Sequence, residues 1–140
     1  MEKIKLLMAD DNQAVLSQLS DFFSRKADIE IAGCAHDGAE ALALIEKTAP
    51  DIVLLDIIMP RLDGFGLITE IRKTHPKDKL AIIGVSAQSG EQTARFLKHG
   101  ANDFLTKPIG MEEFYCRVNQ QMDMLDILQD YKALCGKMAS

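Results

Sequence analysis

Five short apolar runs recur along the chain, and consecutive runs are separated by enough residues for one helix. The runs lie at residues 4–9, 29–35, 51–56, 80–86 and 103–107. Several of them are almost continuously apolar, which is typical of strands covered on both faces. The segments between the runs carry apolar residues at helical spacing. The pattern therefore predicts an α/β fold, a doubly wound five-stranded parallel sheet with right-handed crossovers and helices on both faces.

The length, composition and charge of the chain exclude several classes of protein. A chain of 140 residues, of which 47% are hydrophobic and 26% charged, is expected to form one globular unit. Its net charge of −5 and the lack of a basic run argue against binding to nucleic acid or to an anionic membrane. No run approaches the roughly 20 apolar residues of a membrane span, and the cysteines show no CxxC spacing. We expect a cytoplasmic protein with reduced thiols.

Polar side chains follow four of the five predicted strands. Asp10 and Asp11 come after the first strand, Asp56 ends the third, Ser86 the fourth and Lys107 the fifth. In open parallel sheets, functional residues gather outside the carboxyl ends of the strands. The second strand ends without such a residue, so we expect it at an edge of the sheet.

Three carboxylates at one edge of a sheet point to a cation. Asp10, Asp11 and Asp56 would repel one another unless a positive charge lay among them. Mg²⁺ prefers oxygen ligands and suits a site of this kind, whereas the lack of histidine and cysteine disfavours zinc. A free oxygen of Asp56 could then attack phosphorus and form an aspartyl phosphate. Lys107 and Ser86 are residue types that stabilise a phosphoryl group in transfer.

The same residues resemble a known family. The chain is similar to the receiver domain of bacterial two-component response regulators over residues 3 to about 125. Five separated elements carry this resemblance in the family's order, namely Asp10-Asp11, Asp56 with Met59-Pro60, Asp63-Gly64, Ser86-Ala87 and Lys107-Pro108. The resemblance implies a flavodoxin-like sheet with strand order 2-1-3-4-5.

The resemblance also implies which residues bind metal and accept phosphate. Asp56 corresponds to the phosphoacceptor, and Asp11 to a direct Mg²⁺ ligand. Asp10 would assist through water, and the backbone carbonyl of Ile58 would complete the protein's share of the metal shell. The phosphoryl donor would be a phosphohistidine on a sensor histidine kinase or a phosphotransfer protein.

Three further positions correspond to the family's switch. Lys107 would pair with the phosphoryl group, and Ser86 would move toward that group after transfer. Phe104 stands where receivers carry an aromatic residue that follows this movement. The resemblance implies that Phe104 couples the site to the face made by helix four, strand five and helix five, which controls an output domain or a downstream protein.

The C-terminal segment has a helical pattern that continues beyond the expected domain. We predict a receiver domain over residues 1–122 and an extension of the last helix over residues 123–140. Its apolar stripe is typical of a coiled coil and comprises Met124, Leu128, Tyr131, Cys135 and Met138. The extension is either a docked or frayed end, or a helix that pairs two receivers and leads to an output domain. Residues 102–128 resemble receivers that precede diguanylate cyclase domains.

Two classes of function remain open from the sequence. The first is a phosphorylation-operated regulatory module that modifies only itself. The second is a stand-alone Mg²⁺-dependent phosphoryl-transfer enzyme acting on a small substrate. A phosphatase of the haloacid dehalogenase type is disfavoured, because Ile58 stands where that class has an acidic proton donor. A flavodoxin-like flavin site is disfavoured because the acidic first loop would repel a phosphate. The predicted crevice has no spare acid or base, which favours the regulatory module.

Overall fold

The computed structural model describes residues 3–56, 64–86, 91–106 and 110–139, without the side chains of residues 91–93 and 137–139. Strands and helices alternate strictly along these residues. The strands are β1 (Ile4–Ala9), β2 (Ile29–Ala35), β3 (Ile52–Asp56), β4 (Ala81–Ser86) and β5 (Asp103–Thr106). The helices are α1 (Gln13–Ser24), α2 (Gly38–Thr48), α3 (Gly64–Arg72), α4 (Glu91–His99) and α5 (Met111–Ala139).

The five strands form one parallel sheet in the order β2-β1-β3-β4-β5. This order confirms the predicted doubly wound fold and places β2 at an edge, as expected. The register between β1 and β2 shifts once, because Leu6 lies opposite Ile31 whereas Leu7 lies opposite Gly33. One residue of β2 is therefore left out of the pairing, which makes this edge strand bulged.

Two apolar cores lie on opposite faces of the sheet, and β1 shows why its sequence is continuously apolar. Leu6 and Met8 belong to the core that includes residues of α1 and α5. Leu7 and Ala9 belong to the core that includes residues of α2, α3 and α4. Successive side chains of a strand point to opposite faces, so a strand covered on both faces needs apolar residues at every position.

Local signals mark the ends of the helices. The Asp37 side chain accepts a hydrogen bond of 2.9 Å from the Glu40 amide, which makes Asp37 the N-cap of α2. The sequence spacing of Ser89 and Gln92 is also typical of a capping box, but it lies outside the described residues and side chains. Gly100 follows α4 and has a φ of 121°. Glycine adopts positive φ values without strain and is therefore common at the residue that ends a helix.

Helix α5 comprises 29 residues, which corresponds to about 43 Å. Its C-terminal half exposes more apolar surface than the predicted stripe contained. Met124 and Tyr131 of that stripe are exposed, and so are Ile127 at 60% and Leu134 at 58%. None of the helices in the described ranges combines the length and the apolar character needed to cross a membrane.

Candidate functional site

The structure brings the three predicted acidic residues together. Asp10 and Asp11 directly follow β1, and Asp56 is the last residue of β3, which pairs with β1. Because the two strands are parallel and adjacent, their carboxyl ends lie side by side. One carboxylate oxygen from each of the three residues lies within 4.8 Å of the others. This cluster, Asp10 with Asp11 and Asp56, is called the acidic cluster below.

Burial of the acidic cluster strengthens the repulsion between its carboxylates. Asp10 is only 5% exposed and Asp56 only 9%, whereas Asp11 is exposed to solvent. Carboxylates that are close together and withdrawn from water are stabilised as anions by a nearby cation. Three oxygen donors at this spacing, with one side open to solvent, fit a hard divalent ion that retains some of its water.

Asn12 organises the loop that carries two of the acidic residues. Its backbone amide donates a 2.9 Å hydrogen bond to Oδ1 of Asp10. Its side-chain oxygen accepts hydrogen bonds from the amides of Ala14 and Val15, which makes Asn12 the N-cap of α1. Asparagine is as good an N-cap as aspartate, so this residue type after Asp10-Asp11 is the signal that could have indicated the start of α1.

The floor of the site is apolar and narrow. A cavity of about 20 Å³ lies beneath the acidic cluster, between β1, β3, β4, α1 and α5. That volume is roughly what one water molecule occupies, whereas pockets for small ligands measure about 300 to 1,000 Å³. Within the described residues, this cavity is too small for a substrate. Its apolar lining includes Met8, Leu16, Leu54, Val85 and Phe114.

Ser86 lies at the same edge of the sheet as the acidic cluster. It is the last residue of β4, is 3% exposed, and lies opposite Thr106 in β5. Lys107 and Ile58, the other two predicted site residues, lie outside the described residues, so their predicted roles stay predictions. Thr106, the residue before Lys107 in the sequence, is the last residue of β5.

Phe104 belongs to a row of aromatic rings that sequence reasoning did not identify. Its ring centroid lies 5.5 Å from that of Phe96 in α4, and the Phe96 centroid lies 4.9 Å from that of Phe65 in α3. Gly84 in β4 makes room for two of these rings, because a Cβ atom there would lie 2.8 Å from Phe96 and 3.3 Å from Phe104. A glycine inside an apolar strand is the signal that could have indicated this close approach.

His36 also makes contacts that sequence reasoning did not anticipate. The sequence pattern predicts a solvated residue, and its ring is indeed exposed. One ring nitrogen lies 3.3 Å from a carboxylate oxygen of Glu40, and the other contacts the side-chain oxygen of Gln13. His36 thereby connects the beginnings of α1 and α2 next to the carboxyl end of β2.

Known structures of response regulators have a similar fold. A structure of a two-component system response regulator/GGDEF domain protein superposes with a TM-score of 0.81 at 36% identity, covering 89% of this chain and 51% of that one. The response regulator domain of Thermotoga maritima CheB superposes with a TM-score of 0.78 at 30% identity, covering 87% and 98%. CheY in a CheX-CheY-BeF3-Mg complex from Borrelia burgdorferi gives 0.75 at 30% identity, covering 84% and 87%.

The first of these proteins is much longer than the present chain, which spans about half of its length. The family model of the response regulator receiver domain matches residues 6–119, which include the acidic cluster, Ser86 and Phe104. Receiver domains are regulatory modules, so the match does not favour the stand-alone enzyme that the sequence left open. The chain belongs to the response regulator receiver domain family.

Proposed function

We propose that this receiver domain is a switch operated by phosphorylation of Asp56. The observation that supports the proposal most strongly is the acidic cluster, in which carboxylates from the ends of two adjacent strands lie within 4.8 Å of one another. The sheet holds Asp56 rigidly at the edge, because β3 is buried on both faces. The chain would modify only itself, through phosphorylation and loss of the phosphoryl group.

The acidic cluster would hold Mg²⁺. Asp10, Asp11 and Asp56 offer the oxygen donors, and the backbone carbonyl of Ile58 would add one more. The related CheY complex contains Mg²⁺ and beryllofluoride, which supports the choice of metal. When bound, Mg²⁺ would supply positive charge to the oxygens of the phosphoryl group. Asp11 is the exposed member of the cluster and is therefore the residue most accessible to an arriving ion.

The phosphoryl group would come from a phosphohistidine of a sensor histidine kinase or a phosphotransfer protein. A carboxylate oxygen of Asp56 attacks phosphorus, so a P–O bond forms while the P–N bond of the donor breaks. The histidine ring of the donor keeps the electron pair of the broken bond. Lys107 would stabilise the charge of the transferred group, and the Ser86 hydroxyl would donate a hydrogen bond to it.

The response to phosphorylation would pass through the face made by α4, β5 and α5. Ser86 lies in β4, whose neighbour β5 carries Phe104, and the Phe104 ring packs on Phe96 of α4. Arg117 of α5 donates hydrogen bonds of 2.9 Å to both carboxylate oxygens of Asp103 in β5. A displacement of β5 would therefore also displace α4 and α5, which it contacts through these side chains. We propose that the altered face binds a partner or controls an output domain.

The C-terminal part of α5 would transmit the signal. We propose that residues 1–122 form the receiver domain and that residues 123–140 connect it to an output domain, of which the GGDEF domain of a related protein is one example. The exposed apolar side chains of this part would also pair with those of a second chain. Their spacing alternates between three and four residues, which is typical of a coiled coil, and they comprise Met124, Ile127, Tyr131 and Leu134.

Intact-mass spectrometry tests the proposed function. The chain is incubated with acetyl phosphate, with and without Mg²⁺, and compared with Asp56→Asn and with Asp21→Asn, which changes an aspartate exposed on α1. We expect one added phosphoryl group that requires Mg²⁺, persists in Asp21→Asn and is lost in Asp56→Asn. Modification of Asp56→Asn to the same extent would refute the assignment of Asp56.

Size-exclusion chromatography of the same samples tests the proposed pairing. We expect the phosphorylated chain to elute as a dimer. Ile127→Glu places a charge among the exposed apolar residues of α5 and should prevent this change while leaving phosphorylation intact. A phosphorylated chain that elutes as a monomer would contradict the pairing but not the proposed chemistry.

A further inference from the structure

One face of the C-terminal part of α5 is attached to the loop between α3 and β4. Leu125 is 4% exposed and belongs to the core. Gln129 donates a 2.8 Å hydrogen bond to the Asp78 carbonyl, and the Lys132 ammonium contacts the Asp78 carboxylate. The spacing of four and three residues places these positions on one side of the helix. The contacts of Asp78 with Gln129 and Lys132 are called the clasp below.

The clasp lies on the opposite side of α5 from much of the exposed apolar surface. Ile127 and Leu134 are about 160 to 180° around the helix from Leu125, at 100° per residue. The contact with Lys132 lowers the pKa of Asp78 below its ordinary value, as expected of a carboxylate beside an ammonium group. The clasp therefore sets the direction of the helix without covering its apolar side.

The loop that carries Asp78 is bonded in turn to the turn between α4 and β5. Asn102 in that turn donates a 3.2 Å hydrogen bond to the Lys77 carbonyl. Arg72, at the end of α3, donates hydrogen bonds of 3.0 and 2.8 Å to the carbonyls of His75 and Leu80. The two ends of the loop are thus bonded to Arg72 of α3, and its middle is bonded to Asn102 of the α4–β5 turn.

Arg72 joins both regions through one guanidinium group. It donates a 2.8 Å hydrogen bond to the Gly100 carbonyl and a 2.7 Å hydrogen bond to Oδ1 of Asn102. Burial lowers the pKa of Arg72 to about 10, so the group is still charged at neutral pH. A charged donor among carbonyl oxygens holds them strongly, because losing one bond would leave a partly buried polar group unpaired. The loop and the α4–β5 turn are therefore expected to move together.

We propose that the α3–β4 loop couples the α4–β5 turn to the direction of the C-terminal part of α5. Arg72 and Asn102 act as positioning residues for the loop, and Asp78 holds the helix. This inference rests on the proposed function, in which phosphorylation of Asp56 changes the face made by α4, β5 and α5. Asn102 immediately precedes β5, which carries Phe104, so a displacement of β5 reaches the loop directly.

The clasp has the properties of an element with two states. It depends on two side chains of α5, and Lys132 is 62% exposed. The residues that follow it are exposed to solvent up to residue 136. Segments with few buried contacts open at a small part of the global free energy of unfolding. A modest change in the loop can therefore shift the clasp between closed and open.

Hydrogen–deuterium exchange of the amides of residues 125–136 measures opening of the clasp. The probe is beryllofluoride with Mg²⁺, a stable mimic of the phosphoryl group, and calorimetric titration on the same samples confirms its binding. For the chain itself we expect the probe to change the exchange rates about 5-fold or more. In Asp78→Asn and Lys132→Gln, exchange should be fast both with and without the probe.

Glu70→Gln is the matched control, because it removes an exposed ion pair with Lys73 from the same helix as Arg72 without touching the clasp. It should behave like the unmodified chain. Coupling is reciprocal, so Asp78→Asn should also change the affinity for beryllofluoride, whereas Glu70→Gln should not. A clasp with a purely structural role would alter exchange but not this affinity.

The outcomes separate this inference from the proposed function. If beryllofluoride binds with Mg²⁺ but leaves exchange in residues 125–136 unchanged, the coupling is refuted and the phosphorylation chemistry stands. If the probe does not bind and acetyl phosphate does not modify Asp56, both proposals are refuted.

Discussion

Replacing Gly84 by alanine tests how tightly the aromatic rings around β4 are packed. Gly84 lies opposite Phe104 in the register of β4 and β5. An added Cβ atom would lie 2.8 Å from Cε1 and 2.9 Å from Cδ1 of the Phe96 ring, and 3.3 Å from Cδ2 of Phe104. Distances below 3.0 Å cannot be tolerated, so the Phe96 ring must move.

The buried position of Phe96 sets the size of the effect. This side chain is fully buried and packs against Phe65, so the ring cannot rotate into solvent. Overpacking of a core by a methyl group costs about 1 to 3 kcal/mol. For a chain of 140 residues, this corresponds to a lowering of the melting temperature by about 3 to 10 °C.

Thermal unfolding followed by circular dichroism measures this effect, with Gly33→Ala as the matched control. Gly33 also lies in a strand, but a Cβ atom there would lie 3.2 Å from the end of the flexible Leu44 side chain, which can turn away. We expect little change for the control. Phe96→Leu should relieve part of the clash, so the double variant should be more stable than the sum of the two single effects implies. Equal melting temperatures for Gly84→Ala and Gly33→Ala would refute the reasoning.

Three further predictions concern the site and its supports. Mg²⁺ at about 100 times its Kd should raise the free energy of unfolding by about 2.7 kcal/mol, and Asp11→Asn should lose this rise in melts with and without the ion. Asn12→Ala removes the N-cap of α1 and should lower the free energy of unfolding in urea by about 1 kcal/mol; an unchanged value would contradict the capping role. The Asp28 carboxylate, which accepts the hydrogen bond of the Tyr115 hydroxyl, raises the pKa of Tyr115 above its ordinary value of 10.0. The folded state then keeps a proton that the unfolded state loses, so stability falls as the pH rises above about 10, and Tyr115→Phe should fall less steeply between about pH 9 and pH 11. Parallel curves for the two proteins would show that this bond does not contribute.

The strands and the acidic cluster could be predicted from the sequence because their causes are local. The predicted run 80–86 is β4 at Ala81–Ser86, and the run 51–56 is β3 at Ile52–Asp56. A strand buried on both faces needs a continuous apolar run, and such a run can be recognised in the sequence without knowing which residues pack against it. Once the strands are parallel, the residues at their carboxyl ends must lie at one edge, which brings Asp56 to Asp10 and Asp11.

The supports of the site could not be predicted because they depend on residues distant in the chain. Arg72 donates a hydrogen bond to Asn102, which is 30 positions away in the sequence, and Gln129 donates one to Asp78, which is 51 positions away. No periodic pattern in the sequence indicates either bond. The predicted apolar stripe on α5 included Leu128, but it did not include Ile127. The face that α5 turns to its own domain is set by packing of Leu125 and by the clasp, so spacing alone cannot decide which apolar side chains stay exposed.

The bulge in β2 affects how readily this edge strand can pair with a strand of another molecule. A strand at the edge of a sheet presents unpaired N–H and C=O groups on which another chain can build a sheet. The extra residue between the partners of Leu6 and Leu7 bends the strand and increases its twist, so the row of groups is not straight. A neighbouring strand could pair with only part of it. The irregular edge therefore protects the protein against strand-by-strand aggregation at high concentration.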